Sequence, residues 1–91
     1  MNKKLTKLEI IKDMLEVIRG KNGRIKPTHI LYKSNLSYQM MDDYLAELKE
    51  KGFVVEGKMG KGKTYSLTEK GFQFLEKYSL IADFTSSFGL D

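Results

Sequence analysis

Ninety-one residues with 16 Lys or Arg, 12 Asp or Glu and no cysteine make one small domain of formal charge +4, with chain enough for a single core and little to spare. The missing cysteine excludes disulfides, thiolate catalysis and the usual structural zinc sites, and fits a cytoplasmic location. No apolar run approaches the roughly twenty residues of a membrane span, and the N-terminal lysines precede no apolar segment, so neither an anchor nor a signal peptide is expected.

The charge is unevenly spread. Residues 1–33 hold nine basic groups against three acids, and 34–56 hold two against five. Residues 57–63 hold three lysines and no acid, and 64–91 hold two basic groups against four acids. Basic clusters of this kind favour polyanions, because each neutralised phosphate releases counterions.

Thr6-Lys-Leu-Glu9 is a capping box, with Leu5 and Ile10 at the staple positions. Leu8, Ile11, Met14 or Leu15, and Ile18 then mark the inner face of a helix running to about Arg19. Before it, residues 1–5 form a mobile basic arm. Gly20-Lys-Asn-Gly23 ends the helix. Arg24-Ile25-Lys26 is β-compatible and suits an edge strand. Pro27 stands at a favoured first helical position, so Thr28 to Lys33 form a two-turn helix with Ile30 and Leu31 inward.

Ser34-Asn35 breaks that helix, and the next begins three residues later. Ser37 is its N-cap and Leu36 staples onto Met41. Met41, Leu45 and Leu48 recur on one buried stripe, leaving Tyr38, Gln39, Asp42 and Asp43 outside. Gly52 closes it with a left-handed cap. Two helices joined so tightly, the second longer, form a helix-turn-helix unit.

After Gly52 the period changes to two. Phe53 and Val55, then Tyr65 and Leu67, form the expected inner face of a β-hairpin whose tip is Gly57-Lys-Met-Gly-Lys-Gly62. The tip is no phosphate-cradling loop of the nucleotide-binding type, because no helix follows at the required spacing. Thr68 caps a last helix, with Glu69 in its first turn. Phe72 and Leu75 are expected to pack back on the domain. Phe74, Tyr78, Ile81, Thr85 and Phe88 follow a 4-3-4-3 spacing, a short coiled-coil seam with Phe84 beside it. Exposed aromatics there call for a partner helix, most simply that of a second subunit. The alternatives are a tail that folds back as core or frays after Tyr78.

The expected fold is therefore α+β: a winged helix-turn-helix domain over residues 1–78, with residues 69–88 as a C-terminal dimerisation helix. Its chemistry is double-stranded DNA binding by a homodimer. The helix starting at Tyr38 enters the major groove with Ser37, Tyr38 and Gln39 at its leading end. Lys58, Lys61 and Lys63 flank it on the wing, and Lys26, Thr28, Tyr32 and Lys33 lie near the phosphate backbone. Asp42 and Asp43 repel phosphates, so binding is expected to be sequence-tolerant or weakly specific. His29, the single histidine, has no second strong ligand at metal-binding spacing. Neither metal nor cofactor is expected, and no catalytic set is visible. The competing reading is a winged helix whose acidic helix docks a protein partner.

Three segments also carry a family likeness. Thr28-His-Ile-Leu-Tyr-Lys-Ser-Asn-Leu-Ser37, Tyr44-Leu-Ala-Glu-Leu-Lys-Glu-Lys-Gly-Phe53 and Tyr65-Ser-Leu-Thr-Glu-Lys-Gly-Phe-Gln-Phe-Leu75 resemble the small archaeal winged-helix DNA-binding proteins, over about residues 7–78. The last two segments specify the fold, and the run from His29 to Ser37 is the more particular. The resemblance implies homodimers joined by the C-terminal helix, acting in transcription or chromosome organisation.

Overall fold

The structure, a computed structural model, describes residues 7–21, 24–34 and 36–90. The capping box at Thr6, the staple at Leu5, the basic arm, and Gly23 and Asn35 in the turns lie outside the described residues. The element order is α1 (Lys7–Gly20), α2 (Pro27–Ser34), α3 (Tyr38–Glu50), β1 (Val54–Met59), β2 (Gly62–Leu67) and α4 (Glu69–Ser87).

Helix α1 buries Ile10, Ile11, Met14, Leu15 and Ile18. Met14 and Leu15 are both fully covered, so the arc is wide enough for the two together. Leu8, expected inward, is 58% exposed; at 100° per residue it falls just outside the arc those five residues span. In α2, Ile30 is fully buried and Leu31 half-buried. Ile25 reaches the sheet as a single bridge: the Tyr65 N–H donates to its carbonyl at 3.0 Å. Pro27 follows too closely for a longer edge strand.

Helix α3 starts and stops as its residues dictate. The Ser37 hydroxyl accepts from the Met40 N–H at 3.2 Å, and Met41, Leu45 and Leu48 are buried. At its end the Gly52 N–H donates to the Lys49 carbonyl and the Phe53 N–H to that of Leu48. This double closure needs a left-handed residue between, and Gly52 supplies it at φ 82°.

The closure also corrects the expected sheet face. Phe53 is consumed by the helix cap and is not part of the strand. Val54 pairs with Leu67 and Glu56 with Tyr65, so the inner face is Val54, Tyr65 and Leu67. Val55, expected inward, is 49% exposed. A one-residue shift in a period-two element turns every side chain over.

Helix α4 is anchored at the same corner. The Thr68 hydroxyl accepts from the Gly71 N–H at 3.2 Å and donates to the Gly52 carbonyl. Its backbone N–H donates to the Phe53 carbonyl at 3.1 Å. The Lys70 ammonium donates to the Lys51 carbonyl at 2.8 Å and lies 4.7 Å from the Phe53 ring centre. Phe53 meets Phe74 edge to face at 5.7 Å. Phe74 thus packs on the domain, while Phe72, expected to do so, is 42% exposed. The helix neither frays nor turns back after Tyr78; it continues to Ser87 and ends at Gly89, φ 70°.

One core joins all six elements, centred on Met14, Leu15, Ile18, Ile25, Ile30, Met41, Leu48 and Val54. Outside it, Glu47 ties α1 to α3, accepting from Lys7 at 2.9 Å and Lys51 at 3.0 Å. Those two ammonium groups hold the Glu47 carboxyl below its usual value of 4.5. Among the described residues no helix is long and apolar enough to cross a membrane.

Two measurements test this packing. A methyl group at residue 71 would stand 2.5 Å from the Phe53 carbonyl oxygen, whereas at residue 20 it meets nothing within 4 Å. Gly71→Ala should therefore destabilise the fold by about 1–3 kcal/mol in denaturant titrations, and Gly20→Ala should change it by less than about 0.5 kcal/mol. Because the Glu47 pKa is lowered by folding, its contribution is complete above 4.5 and is lost as pH falls through the lower folded value. The denaturant midpoint should fall less between about pH 6 and pH 3 in Glu47→Gln than in the parent chain; equal falls would mean the bridge adds nothing.

Candidate nucleic-acid interface

The wing grades from apolar to cationic along one face. Val54 and Leu67 are buried at its root, Glu56 and Tyr65 lie in the middle, and Lys58 and Lys63 are directly opposite each other near the tip. Side chains alternate along a strand, so these three pairs share the face. At the tip, Met59 pairs with Gly62, and Gly60 (φ 63°) and Lys61 make the two-residue turn. Glycine meets the positive φ there without strain. A Cβ on Gly62 would meet the Lys26 side chain at 3.6 Å, so Lys26 lies against the other face of the wing. The tip thus gathers Lys26, Lys58, Lys61 and Lys63 from two parts of the chain.

Opposed like charges are unfavourable in an antiparallel pair, by a few tenths of a kcal/mol to about 1 kcal/mol. Partial relief comes from Glu56, whose carboxylate accepts from Lys49 at 2.9 Å and from Lys63 at 3.2 Å. Lys49 first and then Lys63 hold the Glu56 carboxyl below the usual carboxylate range. The same pairing raises the Lys63 ammonium, with a smaller contribution from Asp42 of α3. Burial, then Glu56, pushes the Tyr65 phenol up. Lys26, Lys58 and Lys61 have no ion-pair partner among the described residues.

The leading end of α3 is open to solvent. Tyr38 is 60% exposed and Tyr32 of α2 85% exposed. Ser37 is occupied by capping. The Gln39 amide donates to Asp43 at 3.0 Å, which holds one of the two groups it would use on an adenine. Thr28 and Lys33 are exposed on α2, and Tyr44 is half-buried. A shallow recess of about 590 Å³ between α1 and α2 is lined by Asp13, Glu16, His29 and Lys33 among others.

Of the residues expected at a helix–helix seam, Phe74 and Tyr78 lie half-covered by their own domain, their rings 6.1 Å apart, and Lys12 sits 5.7 Å from the Tyr78 ring. Thr85 is half-buried, its hydroxyl donating to the Ala82 carbonyl at 3.0 Å. Ile81, Phe84 and Phe88 are 64%, 61% and 66% exposed, joined by Leu80 at 65%. Phe84 and Phe88 meet at a tilt, with ring centres 5.0 Å apart.

Lys49 and Glu56 join the site through a contact that no local pattern in the sequence marks. Seven residues and a chain reversal separate them, so no helical or strand periodicity relates the two.

Comparison with solved structures shows the same architecture in several proteins. The DNA-binding protein Sso10a-2 of Sulfolobus solfataricus superposes with a TM-score of 0.70 at 23% identity, over 93% of this chain and 90% of that one. AF1382 of Archaeoglobus fulgidus gives 0.71 at 18% identity, over 89% and 91%. A point mutant of ZitR of Lactococcus lactis gives 0.69 at 16% identity, over 97% of this chain and 62% of that one. No curated protein sequence matches. The family model for the winged helix-turn-helix matches residues 4–86. With helix-turn-helix, hairpin and closing helix in that order, the chain belongs to the winged helix-turn-helix family.

Proposed function

We propose that this chain binds double-stranded DNA as a homodimer and with little sequence preference, in transcription regulation or chromosome organisation in the cytoplasm. One observation carries the reading: Lys58 and Lys63 stand directly opposite each other on a wing that also bears Lys61 at its turn and Lys26 against its back. A cationic tip of this kind opposes its own folding slightly and is relieved by a polyanion. Glycines at 57, 60 and 62 keep the hairpin slim enough for close approach to a phosphate backbone. Sso10a-2, a similar protein described as DNA-binding, supports the same reading.

Affinity comes from Lys26, Lys33, Lys58, Lys61 and Lys63, with Thr28 and Tyr32 at the backbone. Helix α3 supplies orientation through Ser37, Tyr38 and Gln39. Its acids Asp42 and Asp43 oppose deep entry, and the base contact open to an Asp is the uncommon one of accepting from a cytosine amine. The same acidic surface favours the competing reading, a protein-docking α3.

The second subunit joins through the end of α4, residues 69–88 forming the dimerisation helix. Leu80, Ile81, Phe84 and Phe88 expose a contiguous apolar stripe, which a monomer rarely carries. Phe74 and Tyr78, half-covered by their own domain, and Thr85 lie beside it.

Binding to a random-sequence duplex should weaken log-linearly with salt. Replacing Lys58 and Lys61 together by Ala should reduce that slope by about 1.8, at about 0.9 per lost phosphate contact. A chain that binds no duplex at low salt would overturn the reading and favour protein docking. In sedimentation, Ile81→Ser with Phe84→Ser should give a monomer with unchanged circular dichroism, while the parent chain sediments as a dimer. A parent chain with a concentration-independent monomer mass would end the dimer claim.

A further inference from the structure

We propose that Lys49 and Lys63 together form one phosphate site between the end of α3 and the middle of the wing, filled by the Glu56 carboxylate in the free protein and taken over by a DNA phosphate on binding. The proposal rests on the DNA-binding reading and adds to it a contact, Lys49, and a competitor, Glu56.

The geometry is that of a shared anion. One Glu56 oxygen accepts from Lys49 at 2.9 Å and the other from Lys63 at 3.2 Å. The two ammonium groups come from different elements, the last turn of α3 and the second strand of the wing. They converge on the side of the wing turned to α3. A phosphate offers the same two acceptors through its non-bridging oxygens.

Exposure is arranged in the same sense. The Lys49 and Lys63 side chains are 50% and 65% exposed, whereas that of Glu56 is 24% exposed. An anion arriving from solvent meets the lysines first, with the carboxylate behind them. Register explains the arrangement: Glu56 pairs with Tyr65, two residues nearer the root than Lys58 with Lys63. Glu56 and Lys63 are therefore diagonal neighbours on the face turned to α3. Open ion pairs of this kind hold their partners weakly, so long lysine side chains can exchange one anion for another.

The exchange has a consequence for affinity. Asp42 of α3 adds a weaker electrostatic pull on Lys63, so the lysines meet acidic groups from both α3 and the wing in the free protein. Once a phosphate takes the lysines, Glu56 is left beside it as a like charge. Glu56 thus acts as a brake on non-selective binding, leaving Lys26, Lys58 and Lys61 as the cations that attract a duplex at a distance.

Binding of a random-sequence duplex across a salt series separates the possibilities, using the full chain and its Glu56→Gln, Lys49→Gln and doubly substituted forms, each checked for its fold by circular dichroism. Glu56→Gln should bind about fivefold tighter at low salt, the gain from removing a repulsion between unit charges about 4 Å apart in water. Lys49→Gln should lower the salt slope by about 0.9, and the double form should lose the gain. Parent binding with Glu56→Gln unchanged or weaker, or with the Lys49→Gln slope unchanged, overturns the shared site and leaves the three residues as a structural brace. A parent chain that binds no duplex at low salt overturns the DNA-binding reading and this site with it.

Discussion

The corner where α3 ends and α4 begins determines where the wing points. Gly52 turns the chain out of α3, and the Phe53 carbonyl accepts from Thr68 while facing the bare Cα of Gly71. The wing leaves this corner at Val54 and returns to it at Leu67, so both of its ends are clamped by one set of backbone hydrogen bonds. No side chain fits between Phe53 and residue 71, which is why a glycine stands in the first turn of a helix. Had Phe53 entered the strand, the sheet would present Val55 inward and turn Glu56 and Lys58 away from α3. The ionic organisation of the wing therefore depends on a helix cap.

From that corner outward, burial gives way to charge in a short distance. Val54 and Leu67 seal the core, Tyr65 keeps its phenol within the influence of Glu56, and the lysines beyond are solvated. Ion pairs are used selectively along the gradient. Glu47 and Glu56 each hold two lysines, one pair bracing α1 against α3 and the other bridging α3 to the wing. Surface pairs of this kind add little stability; their larger effect is to decide which cations stay free. Those left at the tip are Lys26, Lys58 and Lys61, and they come from both ends of the central helical unit.

Helix α4 divides its surface between two tasks along its length. Its first half gives Gly71, Phe74, Leu75 and Tyr78 to the domain. Its second half has no domain beneath it and exposes Leu80, Ile81, Phe84 and Phe88. A closed cap at Gly89, with the Leu90 N–H donating to the Thr85 carbonyl at 2.8 Å, keeps that half helical to its end. The apolar stripe is thus presented on a rigid element.

Much of this was legible in the chain itself. Ser37, Gly52 and Thr68 act through bonds within a few residues of themselves, so their roles as caps followed from residue type and position. The stripe Met41, Leu45, Leu48 and the glycine–lysine hairpin are likewise local periodicities, and together they specify the helix-turn-helix and its wing. Other features depended on contacts between segments distant in sequence. The strand parity turned on whether Phe53 belonged to the cap or to the sheet, a choice made by the α4 corner. Phe72 and Phe74 are two residues apart on one helix, and only the position of Phe53 beneath them determined which would be covered. Lys26 reached the wing because Ile25 bridges Tyr65, forty residues further on. Lys49 met Glu56 only because the chain reverses between them. Local hydrogen bonding and periodicity thus determined the elements and their order. Tertiary packing decided which face each element buries and which charges stay free, because those outcomes are differences between contacts that the sequence brings together only on folding.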